Sequence, residues 1–401
     1  MEDKFANHTY NPEIRFRGYT DDWEQRKFGD LADYKKGPFG SAITKDMFVP
    51  KSEESIKVYE QQNAINKDWE LERYFLPKEY ALTKLKSFEV HGGDIIVSCA
   101  GTIGEIYEIP ENADTGVINQ ALMRVRVDED CVDKRMFKIA FSNMIDDFTM
   151  VHSNGSAIKN IPPFSDLKPM GVLLPSLQEQ EKISSYFEKL DNLITLHQRK
   201  CDTLKNLKAS MLTKMFPKEG ESMPEIRFKG FTDPWEQRKL NEICDYTSSS
   251  LTASSSIENG KYILYDANTE IGSVDSFSMN EDYITVIKDG AGVGRIRKLP
   301  KNTAFIGTMG ALTSKNKETD FLYYLLERKD LSKQFTGSTI PHIYFKDYGK
   351  DAVNIPKDKE QQVIGSYFKQ LDNLITLHQR KYEKLLDVKK AFLEKMIGGD
   401  N

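Results

Sequence analysis

Two long stretches of the chain carry apolar residues at the spacing of an amphipathic helix. The first covers residues 178–216, contains no proline or glycine, and is followed by Pro217. Apolar residues recur in it about every seven positions, with further members three or four positions away, which predicts a broad apolar stripe along a long helix. The residues that we assign to this stripe are Ile183, Phe187, Leu190, Leu193, Ile194 and Leu204.

The second stretch follows Pro356 and repeats this pattern. Neither helix can bury so broad a stripe alone, so the simplest prediction is that the two helices pack on each other as a coiled-coil pair. His197 and His378 lie on the stripes, and we interpret them as polar residues that fix the register rather than as metal ligands. The stripe residues of the second helix are Ile364, Phe368, Leu371, Leu374, Ile375 and Leu385.

The segments before each helix have a mixed α/β pattern with glycine turns. Residues 94–109 and 283–299 each predict a strand, a glycine turn and a second strand. Residues 134–150 and 321–335 have helical character. The glycines of 290–294 do not indicate a dinucleotide fold, because a strand-like segment follows them where that fold requires a helix.

The chain contains an internal repeat. Residues 12–27 and 224–239 agree at thirteen of sixteen positions, and residues 190–200 and 371–381 are identical at all eleven. The segments between these repeats have diverged. By sequence, Gly310 of the second copy matches Gln120 of the first. Nearly identical frames around different interiors predict one scaffold that presents two different recognition surfaces.

Composition and charge limit the possible classes of protein. The chain has 401 residues, a net charge of −5 and four cysteines without C-x-x-C spacing. A zinc ribbon or a disulfide framework is therefore excluded, and a reduced cytoplasmic protein is expected. No apolar run reaches the roughly 20 residues that span a bilayer. The net charge excludes a bulk electrostatic DNA binder, so any nucleic-acid site must be a local surface.

No catalytic motif is recognisable in the sequence. There is no G-x-x-x-x-G-K-[ST] loop, and no glycine-rich methyl-donor loop precedes the segment Asn160-Ile-Pro-Pro-Phe164. That segment resembles a methyltransferase motif, but Ile161 interrupts it and the second copy lacks it. We therefore expect no catalytic residue, no metal ligand and no bound cofactor in this chain.

Polar and basic side chains near the glycine turns are the candidate DNA contacts. Lysines hold phosphates, while amides, hydroxyls and arginines hydrogen-bond base edges. For any single one of these residues, the alternative interpretation is a solvent-exposed loop side chain that does not contact DNA. The candidates of the first copy are Lys35, Ser41, Lys45, Asn119, Gln120, Arg124, Asn154, Ser156 and Lys159. Those of the second copy are Ser248, Ser250, Lys288, Arg295, Arg297, Thr308, Ser338, His342 and Lys346.

These features together resemble the specificity subunit of type I restriction–modification systems. The resemblance rests on the duplicated frame, the divergent interiors, the Gly-Ser turn before each helix, and a P-x-x-x-E-Q-x-x-I…L-D-x-L-I opening. This opening stands as Pro175…Glu179-Gln180…Ile183…Leu190-Asp191, and again as Pro356…Glu360-Gln361…Ile364…Leu371-Asp372. The turn Gly37-Pro-Phe-Gly-Ser41 is also consistent with this family.

The resemblance implies an α+β fold with a pseudo-twofold repeat and no catalysis of its own. Two mixed α/β target recognition domains, residues 1–177 and 218–354, would be separated by two long antiparallel coiled-coil helices, residues 178–217 and 355–401. Each domain would recognise one half of a bipartite double-stranded DNA target. Two methyltransferase subunits and the restriction subunits would be the partners, and S-adenosylmethionine, ATP and Mg would serve the assembled complex.

Two other functions are compatible with the repeat. A duplicated scaffold that binds only proteins would show no sequence-selective DNA retention. A complete methyltransferase would bind the methyl donor by itself, and the missing methyl-donor loop argues against it.

Overall fold

The computed structural model describes residues 12–152, 161–290, 292–337 and 341–397. The described residues within Met1–Ile194 and Lys384–Asn401 form one compact unit, and those within Thr195–Glu383 form a second. Both long helices contribute to both units, because the two boundaries fall inside them. Among the described residues, no helix is long and apolar enough to cross a membrane.

The first unit contains ten strands and the helices that follow them in the chain. The strands are β1 Glu24–Lys27, β2 Ala32–Lys36, β3 Ser55–Tyr59, β4 Phe75–Pro77, β5 Glu89–Val90, β6 Ile95–Ser98, β7 Ile106–Glu108, β8 Gly116–Ile118, β9 Leu122–Val127 and β10 Gly171–Leu174. The helices are α1 Phe28–Leu31, α2 Gln61–Asn66, α3 Lys78–Lys84, α4 Lys134–His152, α5 Phe164–Leu167 and the first part of α6 Leu177–Lys214.

Two four-stranded sheets form the interior of the first unit. One is antiparallel with the order β2-β9-β6-β7, and the other has the order β4-β3-β8-β5 with β3 and β8 parallel. α4 packs its apolar face on the antiparallel sheet, where Phe137 and Phe141 stack with ring centroids 5.2 Å apart. Tyr34 of β2 lies in the same core and its hydroxyl donates to the Phe28 carbonyl at 2.8 Å.

The second unit repeats this arrangement with nine strands. The strands are β11 Glu236–Lys239, β12 Cys244–Ser248, β13 Tyr262–Tyr265, β14 Glu270–Val274, β15 Tyr283–Ile287, β16 Ile296–Leu299, β17 Ala304–Phe305, β18 Met309–Ser314 and β19 Ala352–Ile355. The helices are α7 Leu240–Ile243, α8 Thr319–Lys329, α9 Phe345–Tyr348 and most of α10 Asp358–Met396. The sheet orders are β12-β18-β15-β16 and β14-β13-β17.

The sheet orders confirm the mixed α/β fold and the internal repeat. The antiparallel sheet has the same order in both units, and β13 pairs in parallel with β17 as β3 does with β8. The segment between the two parallel strands includes α2 and α3 in the first unit, and the second unit has no counterpart of these helices among its described residues. The antiparallel pairing of β5 with β8 is reduced there to a single bridge between Met279 and Thr303. The divergent interiors are therefore variations on one topology.

The repeated frame has the same structure in both units. β1 pairs antiparallel with β10, and β11 with β19. Arg15 donates two hydrogen bonds of 2.8 Å to the carboxylate of Glu179, and Arg227 donates two of 2.7 Å to that of Glu360. These carboxylates are only 1% and 2% exposed. The glutamate of the P-x-x-x-E-Q motif thus fastens the start of each long helix to the repeated segment.

The glutamine of the same motif closes the turn before each helix. The Gln180 amide donates to the Pro175 carbonyl, and the Gln361 amide to the Pro356 carbonyl, both at 2.8 Å. The motif is therefore a structural device for beginning the helices, since both of its polar side chains are used in contacts within their own unit.

The long helices contact each other in an antiparallel sense within each unit. In the first unit, the ring of Tyr186 lies 5.3 Å from that of Phe392, and Lys389 pairs with Asp191 at 2.5 Å. In the second unit, Lys208 pairs with Asp372 at 2.8 Å.

The apolar stripe of each long helix packs on the core of its own unit as well as on the other long helix. Its members near each helix start are buried in the core of their own unit. They are Ile183, Phe187 and Leu190 in α6, and Ile364, Phe368 and Leu371 in α10. Ile194, Leu204, Ile375 and Leu385 are partly buried, whereas Leu193 and Leu374 are each 43% exposed. The stripe therefore packs on the sheets and helices of its own unit in addition to the contacts that the two helices make with each other.

Candidate nucleic-acid interface

A glycine turn and a loop lie against each other at one edge of the first unit. The turn Gly37–Ser41 follows β2, and Asn119–Gln120 precedes β9. The Gly37 amide donates to the Leu122 carbonyl at 2.8 Å. A Cβ atom on Gly37 would collide with the Asn119 carbonyl oxygen, and one on Gly40 would lie 2.6 Å from Gln120 Oε1. Gly37 is therefore required for this close approach, because it faces the Asn119 backbone, whereas at Gly40 the flexible Gln120 side chain could move aside.

The polar side chains of this edge are available for a ligand. Ser41, Lys45 and Gln120 are exposed and make no hydrogen bond or ion pair with any described residue. Asn119 Oδ1 accepts from the Ala121 amide at 3.0 Å, which leaves the Asn119 side-chain NH₂ group pointing to no described acceptor. We call Gly37–Ser41, Lys45 and Asn119–Gln120 the first loop cluster.

The equivalent edge of the second unit brings four segments together. The Lys288 amide donates to the Thr308 carbonyl at 3.0 Å, and the Ile343 amide donates to the Lys288 carbonyl at 2.9 Å. The Gly307 amide donates to the Leu251 carbonyl at 2.7 Å. The predicted contacts assembled here are Ser248, Ser250, Lys288, Thr308 and His342, which we call the second loop cluster.

The second loop cluster carries an internal hydrogen bond between a histidine and an aspartate. His342 Nδ1 lies 2.7 Å from Asp289 Oδ1, and the imidazole stacks on Tyr344 with an interplanar angle of 16°. Lys346 places its ammonium 5.1 Å from the centre of the Tyr344 ring. Hydroxyls, an imidazole and lysines thus replace the amides of the first loop cluster.

Two residues of the first unit that we predicted as DNA contacts instead contact other residues of the same unit. Lys35 and Arg124 are partners in the register of β2 and β9, and both point toward the second sheet. The Lys35 ammonium lies 4.8 Å from the centre of the Phe88 ring. The Arg124 guanidinium is 6% exposed, pairs with Asp33 at 3.0 Å and donates to the Glu89 carbonyl at 2.7 Å. Neither side chain belongs to the first loop cluster.

Two predicted contacts of the second unit are also used internally. Arg295 donates to the Ala267 carbonyl at 2.7 Å and to Asn268 Oδ1 at 2.6 Å. The Arg297 guanidinium lies 5.0 Å from the centre of the Tyr265 ring, between the two sheets. The four remaining predicted contacts, Asn154, Ser156, Lys159 and Ser338, lie outside the described residues.

The strand register corrects the match between the two copies. Lys36 is opposite Met123 in the first unit, and Ser248 is opposite Gly310 in the second. Since Lys36 and Ser248 occupy the same strand position, Gly310 corresponds to Met123, and Gln120 corresponds to Gly307. The sequence match was three residues out of register, because small residues and glycines near the turns align equally well in either register.

The family comparison covers most of the chain. The model of the type I restriction modification DNA specificity domain matches residues 20–206 and 232–387. The chain belongs to this family. It is a specificity subunit with two target recognition domains, one in each unit. Specificity subunits are in general non-catalytic.

Individual relatives agree with this assignment. The MjaVIII specificity subunit of Methanocaldococcus jannaschii is 23% identical, over 94% of this chain and 93% of that protein. The EcoDI specificity subunit of Escherichia coli is 24% identical over 41% of this chain and 37% of that protein. The crystal structure of the S subunit from M. genitalium has the same fold, with a TM-score of 0.67 at 18% identity, over 98% of this chain and 100% of that one.

A histidine pair joins the helices of this specificity subunit within its second unit. His197 Nδ1 and His378 Nδ1 lie 2.9 Å apart. Because one ring must donate and the other must accept, at least one of them is neutral. Burial, the His197 ring, and the ammonium groups of Lys200 and Lys381 lower the pKa of His378.

Acidification below about pH 6.5 should therefore destabilise the second unit. With its pKa lowered in the folded state, His378 takes up a proton more readily in the unfolded chain, so stability present at pH 7.5 decreases toward pH 5.5. We expect a smaller decrease in His378→Gln, which cannot be protonated, as measured by the hydrogen-exchange protection of second-unit peptides at both pH values, corrected for the intrinsic exchange rate at each pH. His91→Gln, an exposed histidine of the first unit, is the control. Equal decreases in the wild type and His378→Gln would contradict this role.

Proposed function

We propose that the two loop clusters recognise the two halves of a bipartite DNA target. This proposal rests on one observation. The two loop clusters occupy equivalent positions in their units but carry different side chains. Each loop cluster lies at the equivalent edge of the antiparallel sheet of its own unit, one with amides and the other with hydroxyls and an imidazole. Two equivalent positions with different side chains suit the recognition of two different base sequences by one scaffold.

The side chains of each loop cluster suit particular contacts. A side-chain amide can form two hydrogen bonds with adenine in the major groove, so Asn119 and Gln120 are the proposed base contacts of the first unit. Lys45 and Lys288 are the proposed phosphate contacts, which position the protein without selecting a sequence. Ser248, Ser250 and Thr308 can hydrogen-bond either a base edge or a phosphate.

We also propose that two copies of a methyltransferase subunit bind the repeated frame. β1 and β11 have the same sequence, Glu-Gln-Arg-Lys, and all four residues are exposed in each strand. Packing does not require identity at exposed positions. Leu193 and Leu374 are likewise identical and exposed. A surface presented twice with the same chemistry suits two copies of one partner, and the methyl donor, ATP and Mg would bind to the partner subunits.

The experiment that tests this function is a map of methylated adenines. The chain is co-expressed with its methyltransferase subunit in a host that lacks DNA methylation. We expect a motif of two parts separated by an unspecified gap, absent when this chain is omitted. A stable complex that methylates nothing would favour the protein-scaffold alternative, and a single continuous motif would mean that only one unit recognises DNA.

A double variant tests the first loop cluster. We expect Asn119→Ala with Gln120→Ala to relax or abolish discrimination in one half of the motif, by about 1–3 kcal/mol for each lost bidentate contact, and to leave the other half unchanged. Asn66→Ala, which removes an amide on α2 bonded within its own helix, is the control. An equal loss of discrimination in both halves of the methylated motif would show that these amides act on general DNA affinity or on folding.

A further inference from the structure

Phe39 is the most exposed large apolar side chain in the described part of the specificity subunit. Its exposure is 90%, and the next highest is 68% for Met150. No described residue makes an aromatic or cation–π contact with the Phe39 ring. A ring in this position contributes little to the core, so its place in the turn indicates a role outside the fold.

The turn holds the backbone that carries this ring. The Phe39 carbonyl accepts from the Ala42 amide at 2.8 Å, and the Ala42 carbonyl accepts from the Tyr80 hydroxyl at 2.9 Å. Pro38 is buried and restricts the backbone before the ring. Since Gly37 and Gly40 lie against Asn119 and Gln120, the turn places the Cα atom of Phe39 beside the proposed base contacts.

The neighbours of Phe39 distinguish a nucleic-acid contact from a protein contact. The exposed side chains around the turn are polar or charged, namely Ser41, Lys45, Asp46 and Gln120, whereas the partly buried Ile43, Phe48, Glu60 and Tyr74 line the groove beside Phe39. The centre of a protein–protein interface is depleted of charge and apolar over a continuous area. A single exposed ring among amide, hydroxyl and ammonium groups is instead typical of a surface that holds phosphates and inserts one apolar side chain between bases.

We propose that Phe39 inserts its ring into one base step of the DNA half-site that the first unit recognises. Phenylalanine is among the residues that enter a base step, partly unstack it and kink the duplex. This inference rests on the proposed function, because it places the ring in the DNA bound by the first loop cluster. Phe39 would therefore add a preference for an easily unstacked step to the hydrogen bonds of Asn119 and Gln120.

No described residue of the second unit places a ring in the turn after β12. The residues that follow β12 there are Ser249, Ser250 and Leu251. Two exposed rings lie near the second loop cluster but outside that turn. Phe335 is 51% exposed beside Thr336, whose amide donates to the His342 carbonyl, and Tyr344 is stacked on His342 beside the Lys346 ammonium. An insertion from the position of Phe39 should consequently be confined to one half of the target.

The test uses the full chain in complex with its methyltransferase subunit. Duplexes of the mapped target carry 2-aminopurine at single positions of both half-sites. The methylated adenine is excluded, because a methyltransferase extrudes its target base whatever Phe39 does. We expect a several-fold rise in fluorescence at one step of the first half-site with the wild type and with Phe39→Trp. Phe39→Ala should lose the rise and bind the target about tenfold or more weakly.

A matched control removes another exposed apolar side chain of the first unit. Leu71 is 40% exposed, and Leu71→Ala should retain both the fluorescence rise and the affinity. A fluorescence profile of Phe39→Ala identical to that of the wild type would overturn the insertion. So would weaker assembly of Phe39→Ala with the methyltransferase subunit without any fluorescence change, since Phe39 would then be a protein contact. If the wild-type complex does not retain the target at all, the proposed function itself fails.

Discussion

Replacement of Glu179 by glutamine should destabilise the first unit by about 3 kcal/mol. The Glu179 carboxylate is 1% exposed and accepts two hydrogen bonds from Arg15, whose side chain is 13% exposed. These hydrogen bonds raise the pKa of the Arg15 guanidinium. Arg15 also stays charged when its partner becomes neutral, because a guanidinium is not deprotonated in proteins. Glutamine has nearly the same shape, and the loss therefore reports on charge rather than on packing.

The measurement is hydrogen exchange followed peptide by peptide, because one global transition need not describe two units. Peptides of the first unit should lose protection in Glu179→Gln, and those of the second unit in Glu360→Gln, which breaks the equivalent pair with Arg227. Glu24→Gln removes an exposed carboxylate that also pairs with an arginine, Arg26, and should change stability by less than about 0.5 kcal/mol. Unchanged protection in both buried-pair variants would show that the pairs do not hold the helix starts.

Exchange of residues 240–350 for the equivalent segment of another specificity subunit should change one half of the methylated motif and preserve the other. The segment contains the whole second loop cluster, whereas both strands of the frame, β11 and β19, lie outside it. Each mismatched base pair lowers affinity by about 1–3 kcal/mol, so several mismatches should abolish methylation of the old half-site.

The methylation map of the exchanged chain is the measurement. The matched control is an exchange of residues 28–170, which should change only the other half, because both β1 and β10 stay in place. A change in both halves after either exchange would disprove the independence of the two units. Loss of all methylation together with loss of protection in hydrogen exchange would mean instead that the exchanged segment does not fit the frame.

The parts of the structure that depend on local pattern were predictable. The long helices follow from apolar periodicity over more than ten turns, and the repeated fold follows from the two nearly identical frames. The ion pairs of Glu179 and Glu360 were not predicted, because they join residues 164 and 133 positions apart in the sequence. No periodicity links such distant positions.

The candidate site was predictable only where the turns themselves bring residues together. Gln120 and Ser41 fall in one loop cluster because glycines allow two segments to touch. Arg124 and Lys35 were also predicted as DNA contacts but lie outside the loop cluster. The sequence does not show which face of a strand a second sheet will cover. The exposure of Phe39 could have been suspected from its position between Pro38 and Gly40, where a turn leaves little room to bury a ring.

The discontinuity of the first unit has a consequence for synthesis of the chain. The Ile14 amide donates to the Lys395 carbonyl at 3.3 Å, Glu13 pairs with Lys395, and Met396 is buried in the core that contains Trp23. The residues of the second unit are all available once Glu383 has been translated, but the first unit lacks these contacts until the ribosome has passed Met396. A chain truncated at Glu383 would therefore contain every residue of the second unit but would lack Met396, which is buried in the core of the first.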